Sequence, residues 1–230
     1  RKYLPQEARE TDDSYDVRLS RSTVVPYLQR IEKMLAGMIT RKPVRLDNVS
    51  DLVREQLFDV DLEGNDLNVW LYETARTAIS FGHCGVLVDA PKEGDKTRPY
   101  WVTYSPRNIL GWRSEIIDGA RQLTQLRLLE NVVEPDGKYG EKQVKQIRVL
   151  ERGRYEIHRK DKKNSEYKLF DEGEMSLKDK IPFAIAYSNR VGYYESRSPL
   201  YDIAELNLKH YQIQSDLDNI LHISSVPLLA

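Results

Sequence analysis

The stretch from Asn65 to Trp112 constrains the fold more than any other part of the chain. Leu67, Trp70, Leu71, Ala75, Ala78, Ile79 and Phe81 recur at the spacing that gathers them on one face of a helix. Gly82 follows at once, and a glycine just past the last periodic residue is the usual helix stop, because it enters the left-handed region without a Cβ penalty. Asn65 or Asp66 supplies a side-chain oxygen for the free amides of the first turn. After His83-Cys84-Gly85, read as a tight turn, Val86-Leu87-Val88-Asp89 is a short apolar run of strand type. The loop Pro91 to Thr97 is charged, and Pro99 to Tyr104 then brings back aromatic and β-branched residues. The spacing therefore predicts a helix covering a β-hairpin.

The period of the pattern changes along the chain. Arg1 to Ser20 is polar, with Tyr3, Tyr15, Val17 and Leu19 as anchors, and reads as a weakly held arm. From a Ser22 cap, with Pro26 near the start, Tyr27, Leu28, Ile31, Met34, Leu35, Met38 and Ile39 follow at helical spacing until Pro43 forbids continuation. Ser50 caps a short helix from Asp51 to Phe58. Beyond Trp112 the alternation becomes twofold. Gln122 to Glu130, Gln143 to Arg152, Arg154 to Lys160, Ser165 to Asp171 and Glu174 to Lys178 read as an antiparallel meander, with Pro182 to Tyr187 as a last strand. A long helix closes the chain, from a Ser198 cap and Pro199 through Ile223. The expected class is α+β: helices packed on an antiparallel β meander, followed by a long C-terminal helix whose pattern fits an ordinary surface helix or one projecting from its domain to pack against copies of itself, the second being what the resemblance given below implies.

Composition narrows the function classes. Among 230 residues, 35 basic against 36 acidic side chains leave a net charge of -1, so nothing in the overall charge attracts nucleic acid. One cysteine excludes an internal disulfide and fits a reducing compartment. No apolar run approaches the roughly 18 to 20 residues of a membrane span, and no signal peptide opens the chain. The start at Arg1 and the apolar end Val226-Pro227-Leu228-Leu229-Ala230 read as those of a piece of something longer.

Candidate chemistry is sparse. Asp59-Val60-Asp61-Leu62-Glu63-Gly64 alternates oxygen ligands, but Asp66 and Trp70 stand where a calcium loop needs an apolar residue and a bidentate Glu, so a turn ahead of a helix is the expected role. His83 beside Cys84 lacks a second cysteine and an orienting third group, and is expected to serve packing. The run Arg152, Arg154, His158, Arg159, Lys160, Lys162, Lys163, interleaved with Tyr155 and Tyr167, is diluted by Glu151, Glu156 and Asp161 and reads first as a solvated hairpin, with contact to a nucleic-acid backbone as the second reading. There is no Gly-rich phosphate loop, His-Glu-x-x-His helix or nucleophile elbow. No cofactor, metal or catalysis is expected. The competing reading is a phage-encoded metal-dependent nuclease or hydrolase of α+β fold, with Asp59, Asp61, Glu63 and Asp89 as carboxylate ligands.

A set of short motifs, in order, carries a resemblance. Tyr3-Leu4-Pro5, Asp61-Leu62-Glu63-Gly64, Phe81 through Pro91, Arg98-Pro99-Tyr100, Tyr104 through Trp112, Pro199-Leu200, Ala204 through Leu208, His210-Tyr211 and Ser215-Asp216 together resemble a family of tailed-bacteriophage portal proteins first catalogued as a domain of unknown function. That resemblance implies an N-terminal arm at 1–20, an α+β wing at 21–197, a stem helix at 198–223 and the start of a clip at 224–230. It further implies a dodecameric ring at one capsid vertex of the virion, assembled in the bacterial host cytoplasm. Its partners would be the terminase, the head–tail connector, a scaffold or capsid protein, and double-stranded DNA passing without sequence specificity. On the stem helix, Asn207, Tyr211, Gln214, Asp216 and Asp218 are the expected subunit-interface or channel residues. Asp216 and Asp218 oppose the local helix dipole and would keep passing DNA from sticking.

Overall fold

The computed structural model describes residues 3–90, 98–160 and 166–225. Its organising element is α4 (Leu67–Phe81), capped by Asp66, whose Oδ1 accepts from the N–H groups of Asn68 and Val69 at 2.9 Å each. Gly82 closes it in the left-handed conformation at φ +92°. No separate turn follows. His83, Cys84 and Gly85, read above as a turn, already belong to β1 (His83–Asp89), because the left-handed Gly82 alone reverses the chain. β1 pairs antiparallel with β2 (Tyr100–Tyr104), the expected hairpin, and on its other side with β8 (Phe183–Tyr187). The charged loop Pro91 to Thr97 lies outside the described residues.

Between β2 and β8 the chain builds a second, five-stranded antiparallel sheet from β3 (Ile109–Ile117), β4 (Ala120–Asp136), β5 (Gly140–Glu151), β6 (Arg154–Lys160) and β7 (Tyr167–Glu174), in that order. The meander is as expected, with three differences. β4, β5 and β7 are longer while β6 has the expected bounds, β3 is an added edge strand, and Glu174 to Lys178 is not a separate strand: Glu174 ends β7 and the rest leads into β8. Asp118 and Gly119, both at positive φ, make the two-residue turn between β3 and β4. A short ribbon of β9 (Arg190–Gly192) and β10 (Glu195–Ser196) follows β8.

Alternation along β1 explains how the layers stack. Cys84, Val86 and Val88 face the helices, with Ala184 and Ala186 of β8 and Trp101 of β2 beside them. Trp70 of α4 meets Trp101 edge to face at 4.9 Å, and the Cys84 Sγ lies 3.5 Å from the Thr74 carbonyl. The opposite face, with Leu87, Tyr104, Phe183 and Ile185, packs on Leu123, Leu126, Leu128 and Leu150 of the meander. Full burial of such leucines stabilises by about 1.5–3 kcal/mol each. The architecture is α+β, as expected, in three layers: helices, small sheet, meander. The helices do not lie on the meander itself, since the small sheet stands between them. Trp70 is buried, Leu71 and Val86 are half-buried, and Val88 near the end of β1 is exposed.

The helical layer packs through Ala36, Ile79 and Leu200, with Leu28, Ile31, Leu35 and Ile203 around them. These come from α2 (Tyr27–Ile39), α4 and the entry to α5 (Tyr201–Ser225). α3 (Asp51–Gln56) is capped by Ser50 as expected. Ser22 does not cap α2. It ends α1 (Asp12–Arg21), a helix inside the segment expected to be a weakly held arm. Tyr15 is fully buried there and Arg18 is 5% exposed, which gives the segment a firm seat that its polar composition conceals.

Candidate functional site: the C-terminal helix

α5 is one continuous helix from Tyr201 to Ser225. The Ser198 hydroxyl accepts from the Leu200 N–H at 3.1 Å and donates to the Ile79 carbonyl at 3.2 Å, so the helix entry is tied to the end of α4. Further along, α1 covers one face. Tyr211 and Ser215 are buried beneath it, and the Ser22 and Ser215 hydroxyls lie 2.7 Å apart. Arg18 holds Glu10 through two bonds of 2.7 and 2.8 Å and lies 3.5 Å from Asp216. The Glu10 hydrogen bond and charge raise the Arg18 pKa, while Arg18 holds the Glu10 carboxyl below its ordinary value.

The residues singled out for a subunit interface or channel fall on or beside this covered face. Asn207 is half-buried, Tyr211 is under the arm, Gln214 donates to Asp218 at 2.8 Å, and Asp216 faces Arg18. They are brought together by helical periodicity; Gln214, Asp216 and Asp218 are engaged within the chain, whereas the buried Asn207 Oδ1 has no hydrogen-bond partner. The face on the other side is different. Leu206, Ile213, Leu217, Ile220 and Leu221 repeat at helical spacing and are each 47–66% exposed. Tyr27 of α2 packs edge to face on His210 in this stripe, at 5.5 Å, and the α2 face that carries Tyr27 also leaves Met34 and Met38 exposed. Sequence reasoning went to the polar middle of α5. The apolar stripe was equally present in the sequence, but only the seat of α1 decides which face is left open.

The other candidates resolve into structural roles. Asp59 and Asp61 close the loop before α4: Asp61 accepts from Glu63 N–H, Asn65 N–H and Asn65 Nδ2, and Asp59 from Gly64 N–H. Burial raises the Asp61 pKa, but these donors together outweigh it and hold the carboxyl below its ordinary value. Glu63 is exposed beside them. Asp89 lies elsewhere, 2.6 Å from Arg148. Among the described residues no three His, Cys, Asp or Glu side chains gather to hold a metal ion. Cys84 is fully buried, and burial pushes its thiol up to about 11. His83 places Nδ1 2.5 Å from the Ser196 hydroxyl, and its burial lowers its pKa. The basic run is split by strand alternation: Arg154 and His158 bond Glu156, and Arg159 bonds Glu134 and lies over Phe170. Lys162, Lys163 and Asp161 lie outside the described residues.

One group of residues escaped sequence reasoning altogether. Arg148 on β5 reaches from the meander to Asp89 of the small sheet and lies 3.0 Å from Glu130 on β4. Glu130 also accepts from Tyr104 and Gln146 at 2.7 Å each, and Gln146 accepts from Arg159 at 3.0 Å. Burial works against the charge on Arg148, but Glu130 and Asp89 outweigh it and raise its pKa; burial, then Glu130, raises that of Tyr104. The group pins the two sheets together.

A protein-family model described as a domain of unknown function (DUF4055) matches residues 199–230, which contain α5. No curated protein matches the chain.

Proposed function

We propose that this chain is the wing and first stem helix of a tailed-bacteriophage portal protein, a structural subunit without catalytic activity. Identical copies form a ring, a dodecamer by the resemblance, at the capsid vertex through which DNA is packaged and ejected. The observation that carries the reading is the apolar stripe of α5. A helix that seats one face on its own chain and leaves Leu206, Ile213, Leu217 and Ile220 open on the other is built to meet a neighbouring protein surface. A ring of identical subunits supplies such a neighbour at every position. The partners that follow are the terminase, the head–tail connector, a scaffold or capsid protein, and the double-stranded DNA in the channel, and the location is the virion.

The test is the mass and shape of the full-length protein. Closed rings seen by electron microscopy and a matching mass by light scattering are expected. Ile213→Glu with Leu217→Glu should leave monomers with unchanged circular dichroism. A full-length protein that stays monomeric, or rings unaffected by the double substitution, overturns the reading.

A further inference from the structure

Four chain connections converge at one end of the two sheets: the β3–β4 turn, the β5–β6 turn, the segment before β8, and the β9–β10 turn. They enclose an open cleft of about 730 Å³ lined by Arg121, Gln122, Arg152, Lys180, Tyr193 and Tyr194 among others. A cleft of that size is in the range that takes a small ligand.

Three cations of this cleft, Arg121, Arg152 and Lys180, differ from several arginines elsewhere in the described residues, whereas Lys178 on the same rim is paired with Glu174. Arg18, Arg76, Arg148 and Arg159 each spend their charge on a carboxylate. Arg121 donates to the Ser114 hydroxyl at 3.1 Å and lies over the Tyr193 ring at 5.7 Å. Arg152 is held by the Gln122 side chain at 2.9 Å, while its buried Nε has no hydrogen-bond partner. A buried donor left unmade is unfavourable, and a small shift of the Arg152 side chain toward an anionic oxygen in the cleft would satisfy it. Lys180 stands exposed on the same rim. Strand alternation sends Arg154 and Arg159 to carboxylates, and the β5–β6 turn sends Arg152 here.

The wall that Arg121 adjoins is aromatic. The Tyr193 ring lies 4.7 Å from Tyr194, which in turn packs on Phe183 and Trp112. Tyr194 holds φ +61°, a conformation that a bulky residue adopts only where its surroundings impose it. Here the Tyr187 hydroxyl, accepting from the Tyr194 N–H at 2.8 Å, and the buried ring do so. Two carboxylates, Asp118 and Asp179, share the rim. They limit the net positive charge, so the fit is to a single phosphate carrying a flat ring, whether free or as one unit of a strand.

We infer that this cleft binds a nucleoside phosphate unit, its phosphate on Arg152, Arg121 and Lys180 and its base on the tyrosine wall. The unit is either a free nucleotide or an unpaired nucleotide of a strand. Base stacking on aromatic side chains and arginine planes, with phosphates on cations, is the chemistry of such recognition. The inference is independent of the ring reading.

The test is calorimetric titration of the full chain with adenosine monophosphate, adenosine, inorganic phosphate, a short single-stranded oligothymidylate and triglutamate. Adenosine monophosphate should bind more tightly than adenosine or phosphate. Arg152→Gln, and separately the exposed Lys180→Gln, should each weaken it by about tenfold. An oligothymidylate that binds more tightly than the mononucleotide identifies a strand as the source, and the reverse order identifies a free nucleotide; either order upholds the inference. No heat with adenosine monophosphate, unchanged affinity in both variants with native circular dichroism, or triglutamate binding as tightly overturns it.

Discussion

Replacing Arg148 by methionine tests whether the two sheets are held together by charge as well as by leucines. The substitution keeps much of the side-chain bulk and removes the guanidinium that Asp89 and Glu130 share. Arg148 is 20% exposed, Asp89 21% and Glu130 13%, so the group is mostly but not wholly withdrawn from water. Removing one partner of a fully buried pair costs about 3–5 kcal/mol, since it strands the opposite charge. Partial exposure places the cost here near the lower end, about 3 kcal/mol. For a chain of this size that lowers Tm by about 6–12 °C. The deficit against the parent protein is read by urea unfolding at neutral pH. A deficit below about 1 kcal/mol would refute the argument, because that is how an exposed ion pair behaves.

Three further outcomes follow from local geometry. Gly82→Ala should cost more than about 2 kcal/mol, because it adds left-handed strain to a collision, whereas Gly119→Ala should cost about 1 kcal/mol from strain alone. A Cβ at Gly82 would lie 2.7 Å from the Arg197 carbonyl carbon, while one at Gly119 meets nothing within 4 Å, and equal losses in urea titrations would contradict the close approach. The buried Cys84 thiol should react with a maleimide only as the protein opens, and rapid stoichiometric labelling of native protein at neutral pH would show otherwise. Because its folded pKa is raised to about 11, its stabilising contribution is complete below the ordinary thiol pKa and is lost as pH rises from there to about 11, a fall in Tm that Cys84→Ser should reduce. Tyr15→Ala should release α1 and expose Tyr211, costing about 3–5 kcal/mol locally. Hydrogen exchange should show that loss in α1 and the middle of α5 with the sheets still protected; parallel loss in β4 and β5 would mean that the arm is no separate unit.

Much of the fold was legible because the local pattern was strong. α4, β1 and β2 follow from periodicity, from an aspartate cap and from one glycine that only a helix end requires. β3 was hidden by Gly111, Arg113, Ser114 and Glu115 on an edge strand that has little apolar alternation to show, although the Asp118-Gly119 pair after it was a readable turn signal. The layer order was not readable. β8 pairs with β1 across the whole inserted meander, and a pairing so distant in sequence leaves no mark on local periodicity.

The candidate site shows the same limit in its sharpest form. α5 spreads apolar residues around its circumference, so its sequence does not declare an inner face. What decides the matter is α1, whose two deepest residues are Tyr15 and Arg18. A buried arginine reads as polar surface until its carboxylate partner is seen, and Glu10 is that partner. Once α1 is seated, Tyr211 and Ser215 are occupied, Asp216 is turned to a charge within the chain, and the open stripe passes through Ile213 and Leu217. The exposed apolar face of α5 thus lies opposite most of the polar residues that its sequence singles out, and the interface proposed above is placed on that open face. A substitution meant to disturb assembly alone has to be made there, since charge reversal at Asp216 would also disturb the seat of the arm.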